Sequence, residues 1–266
     1  LLSSNNYAYI FSMNAQLFLF RSRVLLISTI FLIASCDKGG EDPRPLSCPE
    51  SDALNFTESD GLVIVEFEAV PDRSAIGDWD FRNDFAAYEG EGFLYWAGED
   101  HFSQPGNSTL GYEIEISNPG TYRFIYSGYI ALGESTTESN DLWLRFADAS
   151  DFYGFRENDD SYVYPKGTDK SPNPEGASRD GWLKVYMNQL NEWTYTAKTS
   201  DNDAHDIYVE FDNPGTYLME ISGRSEGFAI DRAVIYKEEG NFADLGNRAK
   251  RKEAFEVLDG SDATCP

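Results

Sequence analysis

The chain has 266 residues, with 46 acidic against 21 basic side chains and a formal net charge of -25. That balance offers no basic footprint for nucleic acid or an anionic bilayer; it suits calcium, neutral or cationic ligands, or salty surroundings. Aromatics make up 15% of the residues, with 16 Tyr and 18 Phe. Together with many Gly and Asp and few helical periodicities, they favour an all-β sandwich or barrel.

Residues 1–12 read as translated sequence upstream of a start at Met13. From Met13 the layout is that of a signal peptide: Arg21 and Arg23 form a basic region, and Val24 to Ala34 form an apolar core too short for a stop-transfer helix. The core ends in Leu32-Ile33-Ala34-Ser35-Cys36, which resembles a bacterial lipobox with Cys36 as the lipidated first mature residue. The expected organisation is a signal peptide over 1–35, a polar lipidated tether over 36–60, a β-sandwich over 61–238 and a C-terminal extension over 239–266. The expected location is the outer membrane, lipid-anchored and facing the cell surface. Cys48 and Cys265 remain near the two ends of the mature domain. A bridge between them is the only intramolecular pairing in an oxidising compartment, and free thiols are the alternative.

In chain order, Gly61 to Val70 alternates as the first strand, with Glu66 and Glu68 on one face. Two acids so placed repel unless a cation lies between them. Residues 71–109 read as irregular around a short strand at 92–97. Thr109 to Ser117 and Gly120 to Ala131 flank Asn118-Pro119-Gly120-Thr121-Tyr122 and read as a hairpin, since Asn-Pro-Gly is turn chemistry. Asn140 to Phe146 is a strand with Leu142, Leu144 and Phe146 inward and Asp141, Trp143 and Arg145 opposite. Trp143 is then either a sugar-facing platform or the cover of a second sheet.

Residues 147–179 form a polar excursion too long for a simple hairpin and are a candidate functional loop. Two strands over 181–197 carry Trp182 and Trp193. Asp201, Asp203 and Asp206 lie in a polar turn that could chelate calcium, although the turn-and-cap reading is favoured because an EF-hand Gly and terminal Glu are missing. A second Asn-Pro-Gly-Thr-Tyr, at 213–217, opens a strand over 217–221. The strand after it, Phe228 to Tyr236, carries one acid, Asp231, in a mostly apolar run. Asp belongs poorly in a strand and implies a specific partner. Residues 246–257 are expected to be helical, with the run Ala249-Lys250-Arg251-Lys252 as a solvated face.

These pieces resemble the galactose-binding-like jelly rolls of carbohydrate-binding module families 6 and 35. Val65-Glu66-Phe67-Glu68-Ala69-Val70 is similar to the Glu-x-Glu opening strand, the two Asn-Pro-Gly-Thr-Tyr strands to the repeated Gly-x-Tyr strands, and Glu226 to Tyr236 to the closing strand. Phe67 stands where the family more often has Ala. The resemblance implies a jelly-roll β-sandwich over about Leu62 to Lys237, with a structural Ca²⁺ held by Glu66, Glu68 and Asp231. Three carboxylates converging where first and last strands pair also suit Ca²⁺ on chemical grounds; the alternative is three acids exposed on an edge strand.

The function expected is non-catalytic polysaccharide capture by a monomeric surface lipoprotein, of the kind that resembles parts of Bacteroidetes-like glycan-capture systems. The loop-site residues expected to read the sugar are Trp96, Asn140, Asp141, Trp182, Trp193 and Arg224, with Arg224 placed to grip a sulfate or uronate. A polysaccharide lyase or glycoside hydrolase is the alternative, and a protein-binding adhesin is another. Against an enzyme, His101 and His205 sit in no alternating strand with Arg and Tyr, and no dense Glu-x-Asp-x-x-Glu strand occurs.

Overall fold

The structure, a computed structural model, describes Cys48, Ser51 and residues 53–266. The signal peptide, Cys36 and most of the expected tether lie outside the described residues. In chain order the strands are β1 (Ala53–Thr57), β2 (Leu62–Glu66), β3 (Trp79–Arg82), β4 (Phe93–Trp96), β5 (Leu110–Ile116), β6 (Gly120–Ile130), β7 (Asp141–Phe146) and β8 (Asp151–Arg156). They continue as β9 (Ser161–Val163), β10 (Ser178–Arg179), β11 (Trp182–Tyr186), β12 (Thr194–Tyr195), β13 (Asp206–Phe211), β14 (Gly215–Ser222) and β15 (Phe228–Tyr236). Helix α1 (Arg248–Phe255) and β16 (Ala263–Thr264) close the chain.

Two sheets pack face to face as a jelly-roll sandwich. One runs β10-β11-β7-β14-β5-β1-β16; the other runs β3-β4-β15-β6-β13-β8-β9, with β2 added on β15 and β12 on β6. Alternation builds the shared core. β5 buries Leu110, Tyr112, Ile114 and Ile116 and turns Glu113 and Glu115 outward, while β13 buries Ile207, Val209 and Phe211. Phe146 of the first sheet meets Phe124, Phe152 and Phe211 of the second, with ring centroids 6.2, 5.3 and 6.4 Å away. Along β15 alternation vanishes, because all nine residues are buried. Tyr236 near its end is covered by Phe242 and Phe255 of the C-terminal extension, while Ala229 near its start packs in a cluster with Phe93 and Trp193.

The expected hairpin around residues 118–122 does not form. β5 belongs to the seven-stranded sheet and β6 to the nine-stranded one, so this Asn-Pro-Gly-Thr-Tyr carries the chain across the sandwich. Its repeat at 213–217 carries the chain back, from β13 to β14. At both corners the Tyr hydroxyl donates to the carbonyl of the Asn four residues earlier, Tyr122 at 2.6 Å and Tyr217 at 2.8 Å. Glu58 braces the first corner by accepting from the Gly61, Ser117 and Asn118 amides and the Ser117 hydroxyl.

Both outer boundaries of the sandwich differ from expectation. Residues 53–57, assigned to the tether, form β1, which lies parallel to β5 and antiparallel to β16. The extension over 239–266 supplies β16 and α1, and Phe255 packs its ring 4.9 Å from that of Tyr236. Arg251, expected on a solvated face, is buried and donates to the carbonyls of Tyr195 and Leu245 and to the Thr196 hydroxyl. A disulfide joins Cys48 to Cys265 across a sequence separation of 217.

Candidate functional site

One candidate centre is acidic. β2 ends at Glu66, and the following turn, closed by the Ala69 amide on the Glu66 carbonyl at 3.0 Å, brings Glu68 back beside it. β15 pairs with β2 so that Arg232 faces Glu66, and its register on β6 slips between Ile230 and Ala233. Such a bulge releases Asp231 and Arg232 from the ladder with β6, while Arg232 stays paired with β2, and it re-aims their side chains. One oxygen each from Glu66, Glu68 and Asp231 then lies within 4.8 Å of the others.

Two loops close over this triad. The Glu89 amide lies 3.3 and 3.2 Å from the two Asp231 oxygens, and the Glu91 amide donates to Glu68 Oε1 at 3.0 Å. Gly90 between them has φ +69°, and a Cβ there would stand 2.5 Å from Glu68 Oε1. At Gly260 a Cβ would stand 2.9 Å from Glu66 Cγ. The Arg232 guanidinium donates to both Glu66 oxygens, at 2.5 and 3.3 Å, and to the carbonyls of Phe255 and Leu258.

Burial, reinforced by the charge of Glu66, pushes the carboxyls of Glu68 and Asp231 up to about 8. Burial also raises Glu66, against the attraction of Arg232. One guanidinium therefore leaves this buried group of carboxylates short of positive charge. Glu68 Oε2 is buried without a hydrogen-bond partner, and so is the Tyr195 hydroxyl, which senses the charges of Arg232, Asp231, Glu89 and Glu66. The donor set is made of hard oxygens, so it fits Ca²⁺ rather than a metal that prefers nitrogen or sulfur.

The expected sugar-reading residues are all buried: Trp96, Asn140, Asp141, Trp182, Trp193 and Arg224. Trp96 packs edge-on against Trp79 at 5.0 Å, under Gly223, where a Cβ would stand 2.2 Å from the indole. Arg224 is held by Asp141, which also accepts from Ser225, and its guanidinium lies 5.0 Å from the rings of both Phe102 and Trp143. It is therefore not free to grip a sulfate or uronate. Asn140 donates to the Met187 carbonyl at 2.6 Å. Trp182 lies under the Arg145 guanidinium at 4.4 Å, and Trp193 packs on Phe93 at 5.1 Å.

The fold thus brings Trp96, Asp141 and Arg224 to one end of the sandwich and takes Trp182 and Trp193 elsewhere. Large indoles close gaps between the sheets and the loops that cover them, which leaves no face open to a ligand. Trp143 follows the covering alternative: it is buried and donates to the His101 carbonyl at 2.9 Å. The turn acids Asp201, Asp203 and Asp206 pair with Lys184, Arg156 and Lys198.

An aromatic ledge lies where no single residue was expected. The excursion over 147–179 folds into β8 and β9, which extend the nine-stranded sheet beside β13. On the outer face Tyr208 stands opposite Tyr153, and Phe155 opposite Tyr162. Tyr153 and Tyr208 are stacked at 6.0 Å, and Tyr162 and Tyr164 at 6.2 Å with 7° between their planes. Phe155 bridges to Tyr162 at 4.8 Å. Tyr162 is exposed, Phe155, Tyr164 and Tyr208 are half-buried, and Tyr153 is buried. Polar groups rim the rings: Tyr153 donates to Glu210 at 2.9 Å and Tyr208 to Glu238 at 2.7 Å. A cleft of about 380 Å³ adjoins Tyr164, walled by Arg145, Asp151, Lys170 and Asp180. The alternation of Asp151, Tyr153 and Phe155 signals this strand in the sequence, but its partner β13 lies some fifty residues on.

No protein-family model matches the chain, and no curated protein matches it. Among solved structures it is similar to a Podospora anserina GH26-CBM35 β-(1,4)-mannanase, at 12% identity and a TM-score of 0.37, over 69% of this chain and 29% of that one. A ruminal GH26 endo-β-1,4-mannanase is similar at 11% identity and a TM-score of 0.36, over 72% of this chain and 29% of that one. The carbohydrate-binding module CBM6cm-2 of Cellvibrio mixtus lichenase 5A, solved with cellotriose, is similar at 13% identity and a TM-score of 0.33, over 67% of this chain and 99% of that one. The chain thus spans less than a third of the two mannanases.

Proposed function

We propose that this chain is a non-catalytic carbohydrate-binding lipoprotein, anchored through Cys36 at the outer surface of a bacterium and stabilised by Ca²⁺ at Glu66, Glu68 and Asp231. The observation that carries the binding reading is the ledge of Tyr153, Phe155, Tyr162, Tyr164 and Tyr208. A pyranose presents a C–H face and a hydroxyl rim, and the open ring of Tyr162 with the half-buried rings of Phe155, Tyr164 and Tyr208, bordered by carboxylates and phenolic hydroxyls, complements both. The bound cation would neutralise the buried carboxylates and lock β2, β15 and the loop over 87–91 together.

Affinity electrophoresis of the mature chain, carrying Cys36→Ser for solubility, tests the binding. Retardation by a polysaccharide is expected, with Tyr162→Ala and Tyr208→Ala each weakening it about tenfold, equivalent to about 1.4 kcal/mol. Retardation unchanged by both substitutions would remove the ledge from the reading. Release of reducing ends or unsaturated products from the retarding polymer would replace a binder with an enzyme.

A further inference from the structure

We infer that the ledge reads glycans whose polar rim consists of hydroxyl or amino donors, with the Glu210 carboxylate as their acceptor, and that it rejects uronic and sulfated chains. The inference rests on the ledge being a sugar site and adds the chemical class of its ligand.

Cross-strand register sets the outer face in rows. Glu210 stands between Thr121 of β6 and Asp151 of β8; Tyr208 stands between Arg123 and Tyr153. Two carboxylates directly opposite one another repel. Lys170 pairs directly with only one of them, Asp151, at 2.5 Å, and acts on Glu210 through its charge alone. Among the described residues no basic side chain comes within 4.0 Å of Glu210, whose partners are the neutral hydroxyls of Tyr153 and Thr121. Glu210 is half-buried, so its carboxylate stays within reach of a ligand lying on the rings.

The cations around the ledge are already engaged. Arg123 pairs with Asp206 and Glu238, Arg156 with Asp159 and Asp203, and Lys170, whose ammonium lies 5.5 Å from the Tyr164 ring, with Asp151. A uronate or sulfate would have to displace the carboxylate partner of one of these cations, and it would approach Glu210 and Glu238 on a chain of net charge -25. A ligand hydroxyl or amino group donating to Glu210 instead makes a charge-assisted hydrogen bond.

The test uses the mature chain in affinity electrophoresis against three polymers: hydroxyethylcellulose, chitosan and polygalacturonate. Retardation by a neutral or amino polymer but not by polygalacturonate is expected, and Glu210→Gln should weaken it about tenfold while the melting temperature holds. Polygalacturonate retarding as strongly as the others would overturn the inference while leaving the ledge as a sugar site. So would undiminished binding by a folded Glu210→Gln. No retardation by any polymer, alongside a cooperative melt, would instead sink the underlying sugar-site reading and this inference with it.

Discussion

Glu68 and Asp231 hold their protons up to about pH 8 in the fold, far above where an unfolded carboxylate releases them. Between those limits the folded chain binds more protons than the unfolded one, so metal-free stability falls as pH rises from about 4 to 8. A cation that displaces the protons reverses the trend. Calcium is therefore expected to raise the melting temperature more at pH 8 than at pH 6, as read by scanning calorimetry with and without chelator. Asp231→Asn should raise the chelated melting temperature at pH 8 by about 3 °C or more and abolish the calcium response. A calcium response that survives the substitution would move the cation elsewhere. These three acids were legible individually. The paired glutamates break the apolar pattern of their strand, and Asp231 is a lone acid in an apolar run. The Arg232 clamp was not legible, because it depends on the register of β15 against β2.

At the scale of the element, the two Asn-Pro-Gly-Thr-Tyr corners show how far local chemistry reaches. Turn propensity marked both positions, yet the strands they join lie in different sheets. What decides this is pairing with distant strands: β5 takes β14 as its partner, and β6 takes β13 and β15. Each corner is fastened by one tyrosine hydroxyl, but Tyr122 is fully buried while Tyr217 is partly open. Tyr122→Phe should cost about 1 kcal/mol in urea denaturation and Tyr217→Phe less, because water replaces the lost donor more readily at the open corner. Equal costs would mean that burial does not set the strength of the lock. The ledge teaches the same lesson. A polar excursion marked as functional was legible, but the rows of rings exist only once β8, β9 and β13 lie side by side.

For the whole molecule, the ends of the sandwich are held by β1 on β16 and by the disulfide between Cys48 and Cys265. Closing a loop of 217 residues constrains the unfolded chain by about 5 kcal/mol on the entropy model. Replacing both cysteines by Ser should lower the urea midpoint and steepen the slope, because the unlinked unfolded chain exposes more surface, whereas a loss of stability smaller than about 1 kcal/mol would show that the strand pairing alone holds the ends.

Composition and alternation determined by themselves that this protein is an all-β sandwich and marked Glu66, Glu68 and Asp231 as acids out of place in their strands, because period and burial are properties of short segments; their convergence was expected only from the family resemblance. The tertiary structure decided which aromatics are open. The tryptophans that looked like sugar platforms are buried, while Tyr162 is open and Phe155, Tyr164 and Tyr208 are half-buried on the outer face that β8, β9 and β13 build. Exposure is set by what packs above a residue, and in this chain those covering segments come from distant parts of the sequence.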